Sequence, residues 1–152
     1  LRRRKVDAAL IIMDEGPELN KVKKRVTEFS MNEHVFFYGF QRNVLDYIAA
    51  SDYLLNPSLT DASNSVVKEA GLLEKVVITC KEVGDCDDYI INGESGFLVE
   101  ASSFASEAAR IIFDLKDKDV ERECIGSKLR SNVVSRFLCS EELINQYEAL
   151  IT

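Results

Sequence analysis

An α/β domain built around a parallel sheet is the fold class that this sequence predicts. Three observations carry the prediction. Over residues 6–80, short apolar runs suited to strands alternate with amphipathic runs suited to helices. Glycines and small polar residues gather just beyond the carboxyl ends of the strand runs, where parallel sheets hold their ligands. The chain has 152 residues, 46% hydrophobic and 30% charged, which suits one globular domain with a sizeable core.

The elements follow in order. Strands are expected near 6–13, 34–38, 52–55 and 76–80, with helices near 18–30, 41–50 and 64–73 between and around them. Two further short strands, Tyr89-Ile90-Ile91 and Phe97-Leu98-Val99, flank the turn Asn92-Gly93-Glu94-Ser95-Gly96, whose glycines supply left-handed backbone. The remainder reads as helices over 102–114, 118–137 and 140–151. Ser102 and Ser140 stand where N-caps are needed, and Leu143, Ile144 and Tyr147 form an apolar stripe on the last helix. The pattern contains no internal repeat, low-complexity tract or interdomain linker.

Composition narrows the function. A net charge of −7 argues against a general affinity for nucleic acid or acidic membrane surfaces. The one basic run, Leu1-Arg2-Arg3-Arg4-Lys5, reads as a solvated helix end leading into the first strand rather than as a localisation or phosphate-binding signal. Cys80, Cys86, Cys124 and Cys139 form no Cys-x-x-Cys pair and have only His34 to join them, a poor zinc set, so they read as core or partly buried residues. His34 starts a strand without a nucleophile or ligand partner and reads as structural. Asp85, Asp87 and Asp88 lack the surroundings of a calcium loop and read as an exposed acidic loop. With no signal peptide and no long apolar run, a reducing cytoplasm is the expected location, with attachment to the membrane periphery open to the intact protein.

The richest stretch is Asn56-Pro57-Ser58-Leu59-Thr60-Asp61-Ala62-Ser63-Asn64-Ser65-Val66-Val67-Lys68-Glu69-Ala70. It reads as a strand end, a Pro-Ser turn, a small polar loop, and a helix with Val66, Ala70 and Leu73 on one face. Small residues at 62 to 65 let an anion reach the free N–H groups of the helix's first turn, which the helix dipole also favours. Glu69 follows about one and a half turns in and shares a face with Ser65, so its carboxylate can accept hydrogen bonds from ligand hydroxyls. The spacing describes a site for a phosphorylated sugar.

At these residues the chain resembles the retaining glycosyltransferases of the GT-B fold, group 1 family, whose Pro-Ser-x-x-Glu-x7-Glu-Ala signature it carries with Asp61 in the first acidic place. The likeness runs in order through Ala8 to Met13, Gly16-Pro17-Glu18-Leu19, His34 to Phe40, Gly71, Val76-Val77-Ile78-Thr79, Val83-Gly84-Asp85 and Asn92 to Val99. It implies a Rossmann-like domain, the carboxyl-terminal half of a GT-B fold, which binds a nucleoside diphosphate sugar. Residues 1–152 would be one incomplete domain, beginning at the equivalent of the family's second strand. The Gly-Arg strand and Lys-Gly helix start that supply a diphosphate clamp do not stand in this sequence, nor does the acceptor-binding amino-terminal domain.

The resemblance also assigns roles. Asp61 would lie beside the transferred sugar as the catalytic carboxylate, and Glu69 would bind the donor's ribose hydroxyls. Ala62, Ser63, Asn64, Ser65 and Val66 would hold the donor mainly through backbone amides, while Gly39 and Phe40 would border the nucleotide base. Each has a plainer reading: Asp61 as an Asx-turn cap, Glu69 as a solvated helical residue paired with Lys68 or Lys75, the small residues as a capped loop, and the aromatics Phe36, Phe37 and Tyr38 as packing. Asp85 takes the second position of the family's glycine pair, which puts close backbone approach there in question. No cofactor and no metal are expected. The partners implied are a nucleotide sugar and, through the amino-terminal domain, an acceptor glycan, lipid or small molecule; nucleic acid is not among them. The rival functions are a non-catalytic ligand-sensing or protein-interaction module and, less favoured by the Pro-Ser-x-x-Asp-x7-Glu block, a GT-B sugar-nucleotide epimerase.

Overall fold

The computed structural model describes Leu1, residues 6–13 and residues 15–137. The basic run Arg2 to Lys5, Cys139, and the helix expected over 140–151 with its Ser140 cap lie outside the described residues. Within them the chain runs β1 (Leu10–Ile12), α1 (Leu19–Glu28), β2 (Val35–Phe37), α2 (Val44–Ala50), β3 (Tyr53–Asn56), α3 (Ser65–Leu72), β4 (Val76–Cys80), β5 (Phe97–Val99), α4 (Phe104–Leu115) and α5 (Asp119–Phe137). Short 3₁₀ turns occupy Cys86–Asp88 and Ala101–Ser103.

Every strand pairing is parallel, as expected, but the strands form two sheets rather than one. β1 pairs with β2, and β3, β4 and β5 pair in that order. Among the described residues no ladder hydrogen bond joins β2-β1 to β3-β4-β5. β1 is also shorter than its apolar run, because β2 offers three residues to pair with and the ladder stops there. Residues 89–91 form no strand. The Tyr89 and Ile90 amides are taken by the Cys86 carbonyl in a local turn, and the Ile91 amide donates to Ser95 Oγ at 2.8 Å.

β4 sets the core. All five of its residues are buried, and successive side chains point to opposite faces. Val77 joins Ile48, Val67, Ala70, Tyr89, Ile90, Leu129 and Val133 on the face covered by α2, α3 and α5. Val76 and Ile78 join Val99, Ala108, Ile111, Ile112, Leu115 and Ile125 on the face covered by α4. Full burial of a side chain such as Leu129 contributes about 2–3 kcal/mol. On α3 the buried stripe is Val67, Ala70 and Gly71, with Val66 and Leu73 half-buried at its margin, one position round from the expected stripe. α5 approaches so closely that a Cβ on Gly126 would lie 1.9 Å from the Glu74 carbonyl oxygen.

Smaller differences have local causes. Ser103 rather than Ser102 holds the N-cap position of α4, without a side-chain cap, because Ala101–Ser103 winds into a 3₁₀ turn first. Cys80 and Cys86 are buried as expected, but Cys124 is exposed on the outer side of α5. Phe36 and Tyr38 are more than a third exposed, so packing in the first sheet is loose; Tyr38 meets Tyr47 with ring centroids 5.5 Å apart.

Candidate functional site

The site is built where β3 and β4 end. β3 runs out at Asn56, the loop 57–64 turns over the sheet edge, and α3 starts at Ser65. Asn64 holds the N-cap position with extended backbone but makes no side-chain cap. Its side chain is instead 3% exposed and turned inward, with Nδ2 donating to Cys86 Sγ at 3.8 Å. The amides of Ser65, Val66 and Val67 therefore begin the helix without a side-chain acceptor, at the end where the dipole favours an anion.

Both predicted carboxylates stand at this place in the chain, Asp61 in the loop and Glu69 on the helix. Asp61 is exposed, and its Oδ1 accepts the Ser63 amide at 3.0 Å, an Asx-turn that leaves the other oxygen without a partner among the described residues. Glu69 is half-buried and has neither a hydrogen-bond nor an ion-pair partner among the described residues. The pairing with Lys68 or Lys75 that would make it an ordinary surface residue is not formed among them.

Lys68 goes elsewhere. Its Nζ lies 2.6 Å from Asp85 Oδ2 and also reaches Ser63 Oγ, while Ser63 Oγ donates to Asp85 Oδ2 at 3.0 Å. The two charged side chains are only 17% and 22% exposed, so Asp85 belongs to a half-buried network and not to an exposed acidic loop. Its neighbours Asp87 and Asp88 are exposed, Asp87 accepting the Glu82 amide and Asp88 pairing with Arg136. The Lys68 ammonium also sits 4.3 Å from the centre of the Phe137 ring, a cation–π contact. Burial acts to raise the Asp85 carboxyl, but hydrogen bonds from Lys68 and Ser63 and the Lys68 charge outweigh it and hold the group below the usual carboxylate range. Burial pushes the Tyr89 hydroxyl up, helped by its contact with Cys86 and by the charges of Asp85 and Asp61.

The loop after β4 closes against the loop after β3. Gly84 has φ +65°, and a Cβ there would come within 3.4 Å of the Asp61 carbonyl and 3.6 Å of Ala62 backbone. Close backbone approach thus occurs at the first glycine of the expected pair, while Asp85 at the second supplies a side-chain tie. Gly39 and Phe40 belong to the loop after β2. Gly39 abuts the Glu15 side chain, and Phe40 is 75% exposed. Lys68 and Asp85 are the site-building residues that sequence reasoning missed; the usable signal was that an acidic residue stands where the family pattern has glycine and a lysine stands beside the helical glutamate. A surface depression of about 310 Å³ lies at the opposite, amino ends of β3 and β4, between Asp52, Lys75 and Arg122. Among the described residues no group of three or more His, Cys, Asp or Glu side chains converges as metal ligands do, and no helix is long and apolar enough to cross a membrane.

A family model described as glycosyl transferases group 1 matches residues 1–130. The chain belongs to this family. Its group 1 relatives include the N-acetyl-alpha-D-glucosaminyl L-malate synthase of Bacillus anthracis, 31% identical over 145 residues that make up 95% of this chain and 37% of that protein. The capsular polysaccharide biosynthesis glycosyltransferase CapM of Staphylococcus aureus is 34% identical over 98 residues, 62% of this chain and 25% of that one. Among solved structures, Anabaena HepE in complex with UDP-glucose matches with a TM-score of 0.80 at 23% identity, over 94% of this chain and 40% of that one. The carboxyl-terminal domain of the group 1 protein LpcC from Francisella tularensis matches with a TM-score of 0.74 at 20% identity, over 88% of this chain and 71% of that domain. The group 1 chain thus has the Rossmann-like architecture of a GT-B half, and it spans well under half the length of the Bacillus and Anabaena proteins.

Proposed function

We propose that this chain is the donor-binding part of a retaining glycosyltransferase that moves a sugar, a hexose or a close relative, from a nucleoside diphosphate to an acceptor hydroxyl. The observation that carries the reading is Glu69, a half-buried carboxylate without a partner among the described residues, set in a helix whose first amides have no side-chain cap. A carboxylate so placed suits vicinal ribose hydroxyls, because its two oxygens can accept both hydrogen bonds. The free amides of α3 suit the diphosphate, and they also stabilise it as it departs, when its charge grows. The free oxygen of Asp61 serves the reacting sugar, by holding a hydroxyl or by facing positive character at the anomeric carbon. Catalysis then rests on positioning and on charge stabilisation of the leaving group, with no covalent enzyme intermediate. HepE was crystallised with UDP-glucose and the Bacillus relative is named an N-acetyl-alpha-D-glucosaminyl L-malate synthase, which supports a UDP-hexose donor here. The acceptor, a glycan, lipid or small molecule, would be met by further polypeptide of the whole protein, acting in the cytoplasm.

The test uses the whole enzyme. Glu69→Gln is expected to weaken donor binding about tenfold, the worth of one charge-assisted contact, while Asp61→Asn is expected to lower turnover with donor affinity little changed. Calorimetric titration of the donor and measured transfer rates check both, once circular dichroism shows that each variant is folded. Normal turnover by Asp61→Asn would leave that residue as the Asx-turn of its loop alone.

A further inference from the structure

Resting on the donor reading above, we infer that Lys68 and Asp85, joined through Ser63, are a positioning pair that fixes the loop Asp61–Asn64 and the first amides of α3 for the donor's diphosphate. Neither residue is assigned a contact with the ligand. The need for such a device follows from the cap. Asn64 turns its side chain to Cys86 instead of closing the helix start. That leaves the amides open to an anion and deprives the loop of the restraint that a cap supplies.

Lys68 replaces that restraint from the end of the first turn of the same helix. It reaches back to Ser63 Oγ and across to Asp85 Oδ2 at 2.6 Å, and Asp85 also accepts from Ser63 Oγ at 3.0 Å. Three points of the site are thereby tied together: the loop after β3, the helix, and the loop after β4, whose Gly84 already lies against Asp61 and Ala62. The Phe137 ring beneath the ammonium and the low exposure of both side chains keep water from loosening the pair. The pair has an electrostatic use as well. Asp61, Glu69 and Asp85 put three carboxylates around a site meant for an anion, and Lys68 neutralises the one that the donor reading does not use.

Single and double substitutions separate positioning from mere stability. Lys68→Met leaves Asp85 as an unpaired, half-buried charge and should lower both the melting temperature and affinity for uridine diphosphate, the probe to be titrated by NMR into the full chain. In Lys68→Met/Asp85→Asn the stranded charge is gone, so stability should return close to that of the wild type. Positioning should not return: backbone order parameters at Ala62–Ser65 are expected to fall from about 0.85 to below about 0.6, and affinity for uridine diphosphate by about tenfold. Lys68→Arg should keep most of both. A double variant with wild-type loop order and wild-type affinity would overturn the proposal while Glu69→Gln still weakens binding and upholds the donor reading. The reverse pattern, an effect of the double variant without one from Glu69→Gln, would uphold the pair and remove Glu69 from the ribose. Absence of any shift on adding uridine diphosphate would overturn both, reducing the pair to scaffold.

Discussion

The first and second stretches of this chain carry the same alternation of strand and helix, yet only the second is buried. No described residue before Ile48 is buried; Leu10 and Ile11, on opposite faces of β1, are each 42% exposed. Helix α1 has an apolar stripe and buries none of it. In β4, by contrast, every residue is buried, since α3 and α5 cover one face and α4 the other. Alternation thus specifies which elements form, while burial depends on what lies on both sides of them. The candidate site belongs to the covered stretch, where loops spring from strands held by a packed core and can be set with precision.

Amide hydrogen exchange would break this comparison most directly. Leu10 donates to the His34 carbonyl and Ile12 accepts from Tyr38, so alternation along a parallel strand turns the Ile11 amide to the edge that has no partner among the described residues. Ile11 should exchange with almost no protection, whereas the β4 amides should open only with global unfolding, a difference of about 5 kcal/mol or more. Equal protection of the two strands would mean that the first sheet is covered in solution. Cavity formation sharpens the contrast. Leu129→Ala should cost about 3 kcal/mol in urea unfolding, while Leu10→Ala should stay within about 1 kcal/mol, since its side chain is already far from fully desolvated.

The smallest effect concerns acid. Asp85 is held below its ordinary range in the folded chain, so the unfolded chain takes up its proton more readily. Its ionised form adds stability that is present above about pH 4 and is lost as pH falls through the lower folded value. Urea midpoints measured down that range should decline, and Lys68→Met should reduce this part of the decline, because the Lys68 hydrogen bond and charge are gone and the Ser63 hydrogen bond is left to act against burial. An unchanged acid limb in Lys68→Met would show that the pair does not set the carboxyl.

The local signals were strong where a residue's role is decided by its neighbours in sequence. The apolar run Val76 to Cys80, the turn at Asn92 to Gly96, and the loop-then-helix setting of Asp61 and Glu69 are all readable from spacing, because backbone preference and helical period act over a few residues. The Asx-turn at Asp61 is likewise a contact two residues long. Tertiary structure decided the rest. Tyr89 to Ile91 look like a strand by composition, yet their amides donate to local acceptors, the Cys86 carbonyl and Ser95 Oγ, and join no ladder. Lys68 stands beside Glu69 in sequence and pairs with a residue seventeen positions away, since a helix turns neighbouring side chains about 100° apart and sends them to different surroundings. Which carboxylate is neutralised and which is left open to a ligand is fixed by the loop that β4 brings alongside α3, and no spacing within either segment carries that information.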